Sequence, residues 1–114
     1  MSVRLSAALS GAVETQLAAR TRILENGAAS VGWKMAASIP GIDADEGVDG
    51  SIFGFLTSDT TLTAGGQVDA GVTVDMCAEV ELAVAIGHDV IPDADFDMVA
   101  AAVAGIAVAL ESST

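Results

Sequence analysis

The sequence predicts an α+β chain: a leading helix, several strands, a crossover helix and a final strand, assembled as a mixed β-sheet. Three observations carry that reading. Apolar residues recur near helical spacing between Leu5 and Glu25. Two Val- and Ala-rich runs, Val72 to Ile86 and Ile106 to Ser112, are apolar stretches bounded by turn-forming residues. Between them, Asp93 to Ala104 follows Pro92 and carries Asp93 and Asp95 where a helix amino end favours them.

Each element has a local cause. In the first helix Leu9, Val13, Leu17 and Leu24 form the apolar stripe, with Glu14, Arg20 and Arg22 outside it, and Asn26-Gly27 supplies a left-handed stop. Ala29 to Ala37, around Gly32-Trp33-Lys34, reads as a short strand. Pro40 to Gly50 is acidic and Gly-rich, hence a surface loop. Ser51 to Leu56 reads as a buried strand, Ser58-Asp59-Thr60 as a turn, and Thr61 to Asp69 as strand and turn around Gly65-Gly66. In the long strand Val72 to Ile86, side chains alternate between faces, so Val80, Leu82, Val84 and Ile86 share one that can be buried. Gly105 is the expected break between the second helix and the last strand.

At 114 residues the chain fits one domain, residues 1–114, with no repeat or linker to divide it. Its hydrophobic content is 52%, mostly Ala and Val with one Trp and no Tyr, so the core is expected to be thin and stability modest or borrowed from a partner subunit. A net charge of -12 speaks against nucleic acid and anionic membrane surfaces as partners. The longest apolar run, Met98 to Leu110, is shorter than the ~20 residues that span a bilayer. Met1 to Val13 lacks a signal-peptide apolar region, so a cytoplasmic location is expected. The single Cys77 excludes an internal disulfide and a cysteine-based zinc site, and is expected to pack as a small buried hydrophobe.

The residues with most chemical content are Glu79 and Glu81. The two-residue period of a strand puts both on one face, and Glu111 closes the next apolar run. Side-by-side carboxylates on a stiff strand, joined by a third, suit a hard divalent cation; they also suit the polar face of a half-exposed strand. That face continues as Ala83 and Ala85, which makes the carboxylates a local polar site. Lys34 is the chain's only lysine and lies beside its only tryptophan. It reads either as a surface lysine or as a group that steadies an enolate oxygen or moves a proton. Two acidic stretches, Asp43 to Asp49 and Asp93 to Asp97, fail as EF-hand loops for want of the required Gly and Glu positions. His88, beside Asp89, reads as a surface turn residue. No P-loop, nucleophile-elbow or dinucleotide-binding glycine pattern occurs.

Taken together, Val31-Gly32-Trp33-Lys34-Met35, Phe53-Gly54-Phe55-Leu56 leading to Asp59, Ala78-Glu79-Val80-Glu81-Leu82-Ala83 and Ala109-Leu110-Glu111 form an ordered set. In this set the chain resembles the 2-keto-4-pentenoate hydratase and 4-oxalocrotonate decarboxylase family of the fumarylacetoacetase-like superfamily, from about Glu14 onward. The resemblance implies the N-terminal half of a fumarylacetoacetase-like β-rich fold, and thus an incomplete hydratase-like catalytic domain. It implies Mg²⁺ or Mn²⁺ held by Glu79, Glu81 and Glu111, with Lys34 and Asp59 as acid–base and orienting residues. Ala36-Ala37 departs from the Gly-Leu more usual after the lysine.

The activity so implied is a hydro-lyase adding water to a short unsaturated 2-oxo acid in aromatic-compound catabolism. Decarboxylation of 4-oxalocrotonate would use the same groups. A rival from another class is a truncated, non-catalytic paralogue or fragment that binds metal or a partner subunit. A homo-oligomer or a complementing subunit is expected in either case, to cover apolar strand faces.

Overall fold

The computed structural model describes residues 7–36, 52–69 and 76–113. They form a small α+β structure with the order α1 (Ala7–Glu25), β1 (Ser30–Ala36), β2 (Ile52–Thr57), β3 (Cys77–Ile86), α2 (Phe96–Ala102) and β4 (Val103–Ser113). The chain divides into two compact units, Met1–Gln67 and Val68–Thr114. No helix among the described residues is long and apolar enough to cross a membrane. The acidic loop expected over Pro40 to Gly50 lies outside the described residues.

In the first unit, α1 ends where Asn26-Gly27 was expected to end it. Gly27 takes a φ of 103°, its N–H donates to the Leu24 carbonyl at 3.0 Å, and the Ala28 N–H donates to the Ile23 carbonyl at 3.3 Å. Those two bonds are a Schellman closure, which satisfies carbonyls the helix leaves open and needs a residue without a Cβ penalty at positive φ. The apolar stripe of α1 is only partly covered: Val13 and Leu24 are half-buried and Leu17 is exposed.

β1 and β2 form an antiparallel pair, with Trp33 opposite Phe55 and Lys34 opposite Gly54. α1 is tied to this pair by Gln16, whose Nε2 donates to the Phe53 carbonyl at 3.1 Å. Arg20 also ties it: its guanidinium lies 5.1 Å from the Trp33 ring centre and donates to Ser30 Oγ at 2.9 Å. Trp33 meets Phe53 edge-on at 5.9 Å, a geometry that the ring quadrupoles favour. Beyond β2 the expected turn is present, whereas the strand expected within Thr61 to Asp69 is absent. That segment carries only the turn closed by Gly66 N–H on the Thr63 carbonyl. Among the described residues no partner strand lies beside it, so its backbone joins no ladder there.

The second unit corrects the expectation of a mixed sheet with a crossover helix. The described strands form two separate two-stranded sheets, β1-β2 and β3-β4, both antiparallel. The connection from Gly87 to Ala102 does not run back along the sheet as a crossover. Instead the Gly87 N–H donates to the Ala102 carbonyl at 2.8 Å and draws the two ends of the connection together.

α2 is also shorter than expected. Its N-cap is Asp95, whose carboxylate accepts from the Met98 N–H at 2.9 Å, while Asp93 lies outside the helix with a φ of 63°. Gly105 does not break the segment; it lies within β4, opposite Ala85.

Among the described residues only Thr57 and Ala102 are buried. The apolar strand face expected to need cover is open: Val80, Leu82, Val84 and Ile86 are all exposed. Cys77, expected to pack as a buried hydrophobe, is exposed at the start of β3. A two-stranded ribbon has two open faces, and one seven-residue helix cannot cover the apolar one.

Candidate metal centre

β3 holds Glu79 and Glu81 on one face by its two-residue period, and the register of β4 supplies the third carboxylate. Glu79 pairs directly with Glu111, and Glu81 pairs with Ala109. Directly opposed residues share a face with their Cβ atoms ~5 Å apart, and diagonal neighbours remain within reach of long side chains. One carboxylate oxygen from each of Glu79, Glu81 and Glu111 accordingly lies within 4.8 Å of the other two. The remainder of that face is small: Ala83 opposes Ala107, and Ala85 opposes Gly105. The three carboxylates therefore stand above a shallow apolar floor, with Glu79 and Glu81 exposed and Glu111 half-buried.

The donor set fits a hard cation. All three ligands are anionic oxygens without nitrogen or sulfur, which is the chemistry Mg²⁺ and Mn²⁺ take. At metal–oxygen distances of about 2.1 Å, adjacent ligand oxygens sit about 3 Å apart, closer than the 4.8 Å bound on the present spacing. The carboxylates' exposure leaves the cluster open to water.

Lys34 and Asp59 belong to the first unit. Lys34 is half-buried, and its aliphatic stem lies across Gly54: a Cβ at that position would come within 3.2 Å of Lys34 Cγ. Gly54 thus provides the space through which the lysine runs. That role was hidden in the sequence, because the partner of Gly54 is set by strand pairing.

Asp59 is exposed in the turn after β2 and lines an open depression with Ile23, Asn26, Gly27, Ala28 and Ser58. The turn is held firmly. The Ser58 N–H donates to the Ala29 carbonyl at 2.9 Å, and the Ala29 N–H donates to Ser58 Oγ at 2.9 Å. The Thr57 carbonyl accepts from Thr60 Oγ1 at 3.2 Å and Thr61 Oγ1 at 2.9 Å. The run Thr57-Ser58-Asp59-Thr60-Thr61 signals such side-chain-to-backbone turns, and the turn expected at Ser58-Asp59-Thr60 lies within it.

His88 is exposed in a turn, with Nδ1 3.1 Å from the Asp89 carbonyl, and takes no part in the carboxylate cluster. The acidic stretch Asp43 to Asp49 lies outside the described residues. Comparison with family models, with curated proteins and with solved structures found no match to this chain.

Proposed function

We propose that this chain is a metal-dependent hydro-lyase that adds water to a short unsaturated 2-oxo acid, 2-oxopent-4-enoate, reacting as 2-hydroxypenta-2,4-dienoate. The observation that carries the reading is the convergence of Glu79, Glu81 and Glu111 from two strands within 4.8 Å. The resemblance in the Gly32-Trp33-Lys34, Phe53-Gly54-Phe55-Leu56 and Glu79-Val80-Glu81 elements supports it.

In this reading Glu79, Glu81 and Glu111 hold Mg²⁺ or Mn²⁺. A bound cation would supply Lewis acidity toward the 2-oxo acid. The three carboxylates would set the charge that holds it. Lys34, its stem confined beside Gly54, and Asp59, on its braced turn, belong to the first unit; the resemblance implies for them acid–base and orienting roles in moving protons as the dienol tautomerises. Decarboxylation of 4-oxalocrotonate draws on the same groups.

A second reading is a non-catalytic domain that binds metal or a partner. The openness of the carboxylates favours it, because water exclusion strengthens electrostatic catalysis and little here excludes water. One experiment separates the two. Loss of dienoate absorbance is followed with and without Mn²⁺, alongside direct metal titration. Metal-dependent loss supports the hydro-lyase; metal binding without loss of absorbance refutes it and leaves the binding domain. A parallel measurement of CO₂ release from 4-oxalocrotonate distinguishes the decarboxylase.

A further inference from the structure

The face of the β3-β4 ribbon opposite the carboxylates is its most unusual surface. Val80 opposes Leu110, Leu82 opposes Val108, and Val84 opposes Ile106, giving three successive aliphatic pairs without a polar side chain between them. These six residues are 47% to 77% exposed, and within the described residues of the second unit nothing covers them. Side chains of this kind carry roughly 60–120 Å² of apolar surface each, so the face presents roughly 250–500 Å². That is at the size of the largest apolar patch on a typical monomer, and here it is purely aliphatic.

We propose that a second copy of this chain covers that face, the two ribbons packing face to face as a four-stranded, two-layer sandwich. The area is consistent with this occupant. A standard interface buries about 800 Å² per partner, of which about 450–520 Å² is apolar, so this face alone supplies about half to all of the apolar share of a stable dimer. Its chemistry is self-complementary, since an aliphatic surface without hydrogen-bonding side chains is best matched by another. The charge distribution permits it as well. Glu79, Glu81 and Glu111 lie on the opposite face of the ribbon, so the seam brings no carboxylates from this sheet together. A charged peptide finds nothing complementary there, and an anionic lipid surface is opposed by the net charge of -12. An isolated two-stranded ribbon is marginal in water, whereas two packed layers supply the covered apolar face it lacks. The proposal stands apart from the metal reading, because it uses the other face of the same strands.

In a two-fold arrangement, residues near the middle of the face approach their own counterparts. Light scattering of the chain at tens of micromolar should give twice the chain mass, and Val108→Asp should give a monomer with weakened β-sheet circular dichroism. Two cysteine variants in a Cys77→Ser background provide the geometric test. Val108→Cys should be joined to its counterpart by a short bis-maleimide across the ~10 Å between packed sheets. Ala107→Cys, on the carboxylate face, should not. A monomeric wild-type chain would overturn the proposal. So would a dimer that survives Val108→Asp, or equal cross-linking of the two variants, as association through the strand edges would give. If Val108→Asp unfolds, the cysteine pair decides the matter alone.

Discussion

Replacing Glu81 with Gln should change two properties in opposite directions. The nearest oxygens of Glu79, Glu81 and Glu111 lie within 4.8 Å of each other. At that distance two like charges in water repel by about 0.9 kcal/mol, and physiological salt reduces this to roughly 0.5 kcal/mol. Glu81→Gln removes two such pairs while keeping the shape of the side chain. Without metal the variant should therefore be more stable by about 1 kcal/mol, a rise of about 4–8 °C in melting temperature for a unit this small. With metal the order should reverse. Loss of one anionic ligand should weaken Mn²⁺ at least tenfold, or about 1.4 kcal/mol. At a concentration 100 times the wild-type Kd, bound metal stabilises the wild type by about 2.7 kcal/mol, and the variant gains correspondingly less. The assay is a pair of thermal melts with and without Mn²⁺, joined to a calorimetric titration of each protein. Equal Mn²⁺ affinity in the two proteins would refute the metal reading. An apo variant no more stable than wild type would refute the inference that the three charges are held close together.

Other consequences follow from individual contacts. Lys34→Met keeps the stem beside Gly54 and removes the charge, so dienoate turnover should fall while Mn²⁺ affinity and melting temperature stay nearly unchanged; a matching loss of stability would make Lys34 structural. Gly27→Ala forces a Cβ onto a residue at φ 103° and should cost about 1–2 kcal/mol in a denaturant melt of the first unit. Asp95→Ala removes the acceptor of the Met98 N–H and should cost about 1 kcal/mol, visible as faster amide exchange over Phe96–Ala102. Gly87→Ala brings a Cβ within 3.0 Å of Ala104 Cβ, which cannot rotate away; an overpacking cost of about 1–3 kcal/mol should appear as a lower melting temperature.

By itself the sequence determined whatever depends on neighbours along the chain. Asn26-Gly27 ended α1 because only a residue tolerant of positive φ closes that cap, and Asp95 began α2 because its carboxylate reaches an N–H three residues on. Glu79 and Glu81 shared a face because a strand repeats every two residues.

The tertiary structure alone decided how distant segments pair. Whether Glu111 meets Glu79 depends on the register of β3 against β4, and a slip of one residue would carry it to the aliphatic face. That register depends on the Gly87 to Ala102 hydrogen bond and on the shift beside it, where Ala85 pairs with Gly105 and Ile86 with Val103, leaving Ala104 between. The same non-local pairing made β4 antiparallel rather than a crossover partner. Alternation put Val80, Leu82 and Val84 on one face, and the scarcity of helices already implied that this face needs cover; among the described residues none provides it.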